Sequence, residues 1–317
     1  MLQLVRQLSI IPYALGGLLP VPTITVLDST MYYEDAGSGT PLVFLHGNPT
    51  SSFLWRKVLP RIGEPGRRLA PDLIGMGQSG KPDSAYQFAD HARYLDAWFD
   101  ALALDDVVLI GHDWGGALAF DWAARHAGRV RGMAFMETIV RPMSWSDLAP
   151  VQRARLEAQR TPGVGEKLVL DENFFIEQAL RATILTGLSD ADLDVYRGPY
   201  PTPESRRPML AWTRSLPYDG QPADLVRRIE AYDDWLASSP DVPKLLLTFD
   251  GSPDALLMGP DLIDWCATHI ASLEIQRCGP AKHLVPEDQP EDIANALVEW
   301  MNRRHLRTTA AAASLAR

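Results

Sequence analysis

Residues 111–116 read Gly-His-Asp-Trp-Gly-Gly, after the apolar run Val107–Ile110 and before Ala-Leu-Ala-Phe. Glycines flanking a central residue in this way permit a strand-to-helix turn so tight that the central side chain stands clear of the backbone. A serine hydroxyl is the usual occupant; here it is Asp113. A carboxylate is already an anion at neutral pH, so it needs no base to become a nucleophile, and its attack on carbon yields an ester. The amides and dipole of the following helix N-terminus would hold that anion charged and aimed. Asp113 could be a plain helix N-cap. Glycines on both sides at this spacing, after four apolar residues, favour the nucleophile.

An ester on Asp113 has to be opened by water, which needs a base. Of seven histidines, His283 alone occupies the loop after the last strand-like run, in GPAKHLVPEDQP. That is where the order nucleophile-then-histidine places the base. His91, His126, His269 and His305 read as solvated helix residues, His112 as a packing residue, and His46 as the holder of the loop HGNPTSSFLW (46–55). That loop follows an early strand, so the backbone N–H groups of Asn48 and Trp114 are expected to form the oxyanion hole. The Trp114 indole and the Asn48 side-chain amide are neutral donors. Beside an anionic nucleophile they suit a second anion that develops as a bond breaks, and a departing halide fits. Core packing is the plain alternative for Trp114.

The imidazolium that forms at His283 needs a carboxylate on its other nitrogen. Glu137 ends an apolar strand, MAFMETI, and a buried glutamate is rare unless paired. Asp254 follows Pro253 in a turn, a common place for aspartate. Glu137 is the preferred acid and Asp254 the runner-up.

The surrounding elements support such a site. Strand-like apolar patterns within 41–47, 67–80, 106–130, 131–139 and 241–251 alternate with helical patterns, which predicts a mostly parallel sheet covered on both faces. From 141 to 223 the pattern is helical with Pro-rich breaks. The expected organisation is therefore a core over 1–140 with an N-terminal arm, a helical cap over 141–223, and the rest of the core over 224–317. Trp145, Phe175, Trp212, Leu256 and Leu284 are candidates for an apolar substrate pocket. The chain has 317 residues and a formal net charge of -10, which argues against nucleic acid and anionic membranes as partners. Two cysteines, Cys266 and Cys278, read as free buried thiols, and no apolar run approaches the length of a membrane span. No metal-ligand cluster and no dinucleotide fingerprint is found, so no cofactor is expected. The apolar N-terminus lacks a clear cleavage site. A cytoplasmic monomer or small homo-oligomer is the expectation, with export the alternative.

HGNPTSSFLWR, DLIGMGQSGKP, GHDWGG, FMETI, RRPMLAW and AKHLVPEDQP together resemble the haloalkane dehalogenases of the α/β-hydrolase fold, from about residue 24 to about residue 304. The resemblance extends to the branch with an Asn–Trp halide clamp and a Glu acid. It implies hydrolysis of a small apolar haloalkane to alcohol, halide and proton, with Asp113 as nucleophile, His283 as base and Glu137 as acid. The presence of Asp254 departs from that branch, which has glycine there. An epoxide hydrolase would share Asp113 and His283 and use cap tyrosines, for which Tyr196, Tyr200 and Tyr218 are available. A Renilla-type luciferase shares most of the site, and a non-enzymatic receptor on the same fold is a further alternative.

Overall fold

A computed structural model describes residues 22–148, 150–252 and 254–309. The N-terminal arm, residues 1–21, and residues 310–317 lie outside the described residues. Eight strands form one sheet in the order β1-β2-β4-β3-β5-β6-β7-β8. They are β1 (Thr23–Val26), β2 (Ser29–Ser38), β3 (Pro41–Leu45), β4 (Gly66–Pro71), β5 (Val107–Asp113), β6 (Val130–Thr138), β7 (Lys244–Asp250) and β8 (Leu273–Pro280). β1 and β2 run antiparallel, and β4, β3, β5, β6, β7 and β8 are parallel to one another. The centre of the sheet is covered on both faces, so β5 is buried at every position.

The helices are α1 (Leu59–Ile62), α2 (Phe88–Ala101), α3 (Trp114–Arg125), α4 (Pro150–Arg160), α5 (Leu180–Ala182), α6 (Asp190–Arg197), α7 (Arg207–Arg214), α8 (Ala223–Ser238), α9 (Pro260–His269), α10 (Val285–Asp288) and α11 (Pro290–Arg303). Two apolar clusters fill the faces of the sheet. One joins α2, α3 and α8 to the sheet through Trp98, Trp122, Phe120 and Tyr232. The other joins α1 and α11 through Trp55, Leu297 and Trp300.

Between β6 and β7 the described residues hold helices and turns but no strand beyond isolated bridges from Tyr218 to Met143 and to Gln221. Residues 172–182, within the stretch of helical pattern, are wound partly in wide π-type turns, as is Glu166–Asp171, where the Glu172 N–H reaches the Lys167 carbonyl. Asn173 breaks the regular winding with a φ of 52°. α6 is capped by Ser189, whose hydroxyl accepts the Asp192 N–H at 3.1 Å. A third apolar cluster, built on Ile176, Leu180, Leu193, Tyr196 and Tyr200, takes in Phe53 from the loop after β3 and Leu284 beside His283. The helical segment therefore rests directly on the loops at the carboxyl ends of the strands, where ligand sites of parallel sheets lie.

Candidate active site

Asp113 stands at the junction of β5 and α3 with φ 52° and ψ -130°. An L side chain in that region stores about 1–3 kcal/mol of strain, which the packing around the turn sustains. A Cβ on Gly115 would lie 2.2 Å from the Leu45 carbonyl oxygen, so the start of α3 lies tight against the end of β3. The Thr138 hydroxyl donates to the Asp113 carbonyl at 2.6 Å and ties the turn to β6. The Asp113 side chain projects to the carboxyl edge of the sheet and is 7 % exposed.

The loop after β3 meets this carboxylate. The Asn48 N–H donates to Asp113 Oδ2 at 2.8 Å, and a Cβ on Gly47 would fall 2.2 Å from that same oxygen. His46 fixes the loop. Its Nε2 accepts the Leu73 N–H at 2.9 Å, so its Nδ1 carries the proton that reaches the Gly47 carbonyl at 2.9 Å. Burial drives its pKa down to about 4, which keeps this arrangement neutral. Asp72 is buried as well and accepts the Ser52 and Gln78 amides at 2.6 and 2.7 Å, pinning the far end of the same loop. The expectation that His46 holds the loop matches its bonds.

His283 approaches Asp113 from the loop after β8. Its Nε2 lies 3.7 Å from Asp113 Oδ1, and its Nδ1 lies 3.2 Å from Glu137 Oε2. Glu137 is 2 % exposed and has a φ of 47° at the end of β6. Its two oxygens also accept the Leu257 N–H at 2.6 Å and the Met258 N–H at 3.2 Å. Three donors thus converge on one buried carboxylate, which fixes Nδ1 as the protonated nitrogen of His283 and leaves the Nε2 lone pair facing Asp113. Asp254 takes no part in this arrangement: its carboxylate is exposed and bonds to Ser252.

The charges in the site pull against one another. Burial pushes the Asp113 carboxyl up, opposed by the His283 charge and by the Asn48 and Trp114 amides, and it stays above the ordinary carboxylate range. Burial pushes the His283 imidazole down, but the hydrogen bond to Glu137 and the charges of Asp113 and Glu137 outweigh it. The imidazole is held above its usual value of 6.5.

The Trp114 ring, next to Asp113 in sequence, stacks on Trp212 at 4.5 Å, and Trp212 stacks on His91 at 4.1 Å. Trp212 is fully buried as the middle of this stack. His91, expected in solvent, is buried there instead, and burial drives its pKa down to about 3. The helical pattern of α2 was legible, but its inward face turns His91 toward the indoles. The Asn48 Oδ1 is buried without a hydrogen-bond partner among the described residues. Leu284 is buried and Leu256 and Phe175 are partly buried beside the apolar clusters that flank the site. Trp145 stacks on Tyr218 at 4.1 Å beneath the guanidinium groups of Arg153 and Arg160, partners within the helical segment.

Two residues did not stand out in the sequence for what they do. Thr138, next to Glu137, holds the turn. His112, read as packing, is fully buried, and its Nε2 donates to the His283 carbonyl at 2.7 Å. A polar residue at the end of an apolar strand was the available signal for both. Among the described residues no group of three or more His, Cys, Asp or Glu side chains is placed to hold a metal ion. No described helix is long and apolar enough to cross a membrane.

A family model described as the alpha/beta hydrolase fold matches residues 40–231. A haloalkane dehalogenase of Mesorhizobium japonicum is 49% identical over 282 residues, which cover 88% of this chain and 90% of that protein. One of Agrobacterium fabrum is 46% identical over 267 residues, covering 84% and 86%. The crystal structure of the haloalkane dehalogenase DbeA from Bradyrhizobium elkani superposes with a TM-score of 0.85 at 43% identity, over 89% of this chain and 97% of that one. The fold, the elbow at Asp113 and these likenesses over most of each chain agree: the protein belongs to the haloalkane dehalogenase family, hydrolases of the α/β-hydrolase fold that act on carbon–halide bonds.

Proposed function

We propose that the protein dehalogenates small haloalkanes by hydrolysis through an ester on Asp113. The observation that carries this reading is the line from Asp113 to His283 to Glu137, 3.7 and then 3.2 Å, at a strand-to-helix elbow. Asp113 Oδ1 attacks the halogen-bearing carbon in line, the carbon–oxygen bond forms, and the halide leaves with the bonding pair. The Asn48 side-chain amide and the Trp114 indole N–H receive the halide. The stack behind Trp114 supports this role, because it sets the direction of the indole by packing rather than by hydrogen bonding.

His283 Nε2 then takes a proton from water as the water oxygen attacks the Asp113 carboxyl carbon. Glu137 stabilises the imidazolium, and the backbone amides of Asn48 and Trp114 hold the oxyanion. As the tetrahedral intermediate collapses, the leaving alkoxide takes the proton held by His283 and departs as the alcohol, and the remaining proton of the new carboxyl group passes to solvent, which restores the carboxylate. Residues 141–223 act as a cap between two stretches of core, 1–140 and 224–317. Leu256, Leu284 and Phe175 supply apolar wall and Trp212 backs the clamp, and exclusion of water favours displacement by a carboxylate. Trp145 is assigned to the cap's own packing.

Bromide release from 1,2-dibromoethane and 1-bromobutane tests the reading, with wild type beside His283→Phe and intact-protein mass on both. Turnover by wild type and a stable alkyl adduct on Asp113 in the variant are expected. No bromide and no adduct would overturn it and direct the search to epoxides, and then to oxygen-dependent light emission.

A further inference from the structure

The loop that carries His283 is bolted to the helical segment above it, and the bolt is Asp288. This residue lies at the end of α10, five positions after His283, and is 7 % exposed. Its Oδ1 accepts the Leu185 N–H at 2.9 Å, the Thr186 N–H at 2.8 Å and the Thr186 hydroxyl at 2.9 Å. Its Oδ2 accepts the Lys282 N–H at 3.0 Å and shares the Leu185 N–H at 3.0 Å. One carboxylate therefore joins the segment between α5 and α6 to the residue immediately before His283. Two further bonds run in parallel. The Leu284 N–H donates to the Thr183 carbonyl, and the Lys282 ammonium donates to the Ala182 carbonyl, each at 3.0 Å. His283 is thus flanked on both sides by residues tied to 182–186.

The neighbouring Glu287 repeats the connection. It is buried and accepts Arg56 at 2.5 and 3.0 Å, Lys57 at 2.9 Å and the Tyr196 hydroxyl at 2.7 Å, while Arg56 also pairs with Asp192 of α6 at 3.1 Å. From below, His112 holds the His283 carbonyl at 2.7 Å. The imidazole position is set by the core and the helical segment together. A catalytic base displaced by about 1 Å can lose on the order of 100-fold in rate.

We propose that Asp288 is a positioning residue that locks the His283 loop to the 182–186 segment, so that ester hydrolysis, and not ester formation, depends on that segment being in place. The proposal rests on the reading of His283 as the base. Alkylation needs Asp113 and the halide donors, none of which Asp288 touches. Hydrolysis needs the His283 imidazole aimed at water beside Asp113.

Asp288→Asn isolates the tie. Asparagine keeps an oxygen for Thr186, but it turns an NH2 group toward the Lys282 N–H, donor against donor. The experiment follows bromide release from 1,2-dibromoethane by rapid mixing, with the adduct read by intact-protein mass. Wild type, His283→Phe, Asp288→Asn and the milder Thr186→Val are compared. The expected result is an unchanged first bromide release in Asp288→Asn, hydrolysis slowed about tenfold or more, and an adduct that accumulates at steady state. Thr186→Val is expected to raise the adduct fraction less. A folded Asp288→Asn with the adduct fraction of wild type, or with both steps slowed equally, overturns the proposal. If Asp288→Asn does not fold, Thr186→Val decides, and an adduct fraction equal to wild type overturns it. Absence of any adduct in His283→Phe would instead strike the reading of the base itself.

Discussion

Glu137→Gln tests the acid most directly. Glu137 Oε2 sits 3.2 Å from His283 Nδ1. Two unit charges at that distance interact by about 5 kcal/mol at an effective dielectric of about 20. Glutamine keeps the shape and a dipole but loses the charge, so part of this survives. We expect hydrolysis of the ester to slow by about 10³-fold, given a factor of ten for each ~1.4 kcal/mol. Alkylation does not require His283 to change charge, so the first bromide release should stay within several-fold of wild type. The assay is a rapid-mixing burst of bromide with quenched intact-mass sampling: one bromide per protein, then a slow phase, with the alkyl adduct dominant. The pH dependence adds a second signature. His283 works as a base only when neutral, and Glu137 and Asp113 hold its pKa above 6.5 in the native protein. In the alkyl-enzyme Asp113 is an uncharged ester, so Glu137 alone still holds the imidazole up, and the hydrolysis rate should rise with pH as His283 loses its proton. Without the Glu137 charge, burial gains the upper hand and the midpoint moves down. Asp254→Asn, at an exposed position, should resemble wild type throughout. A Glu137→Gln variant that turns over like wild type, or one whose burst and slow phase fall together, would refute the assignment of the acid.

Trp114→Phe removes one of the two donors proposed for the leaving halide while keeping a ring against Trp212. A hydrogen bond to a charged group contributes about 1.5–3 kcal/mol, so bromide release should fall roughly 10- to 100-fold, read in the burst phase. Gly47→Ala forces a methyl carbon to within 2.2 Å of Asp113 Oδ2. The carboxylate must move, and the burst should be lost while far-UV circular dichroism stays native. His112→Phe leaves the partly buried His283 carbonyl without its donor, for a loss of about 1 kcal/mol in urea unfolding. The same variant should show slowed hydrolysis with alkylation retained.

Local chemistry was the legible part of this site. Glycines around Asp113 encode a turn that a short sequence displays in full. A glutamate ending an apolar strand is conspicuous because burial would be unfavourable without partners. The strand pattern was equally plain, since a doubly covered parallel strand reads as a continuous apolar run, as β5 does. What stayed hidden depends on which side of an element faces inward. His91 and Trp212 lie on different helices, far apart in sequence, and only packing brings their rings together behind Trp114. The wide turns at 166–179 were hidden because adjacent helical windings share nearly the same residue preferences. The Leu185 and Thr186 partners of Asp288 lie about a hundred residues upstream, in a segment with no periodic pattern to suggest them.

The two oxygens of Asp113 are not equivalent. Oδ2 is anchored by the Asn48 amide and hemmed in by Gly47, whereas Oδ1 looks toward His283. Under the proposed mechanism Oδ1 becomes the ester oxygen, leaves inside the alcohol, and is replaced by an oxygen drawn from water. One atom of the side chain is then a permanent fixture, and the other is a reagent handed to product and renewed in every cycle. Each alcohol molecule leaves with an oxygen that water supplied one turnover earlier, so the protein carries an atomic record of its previous reaction.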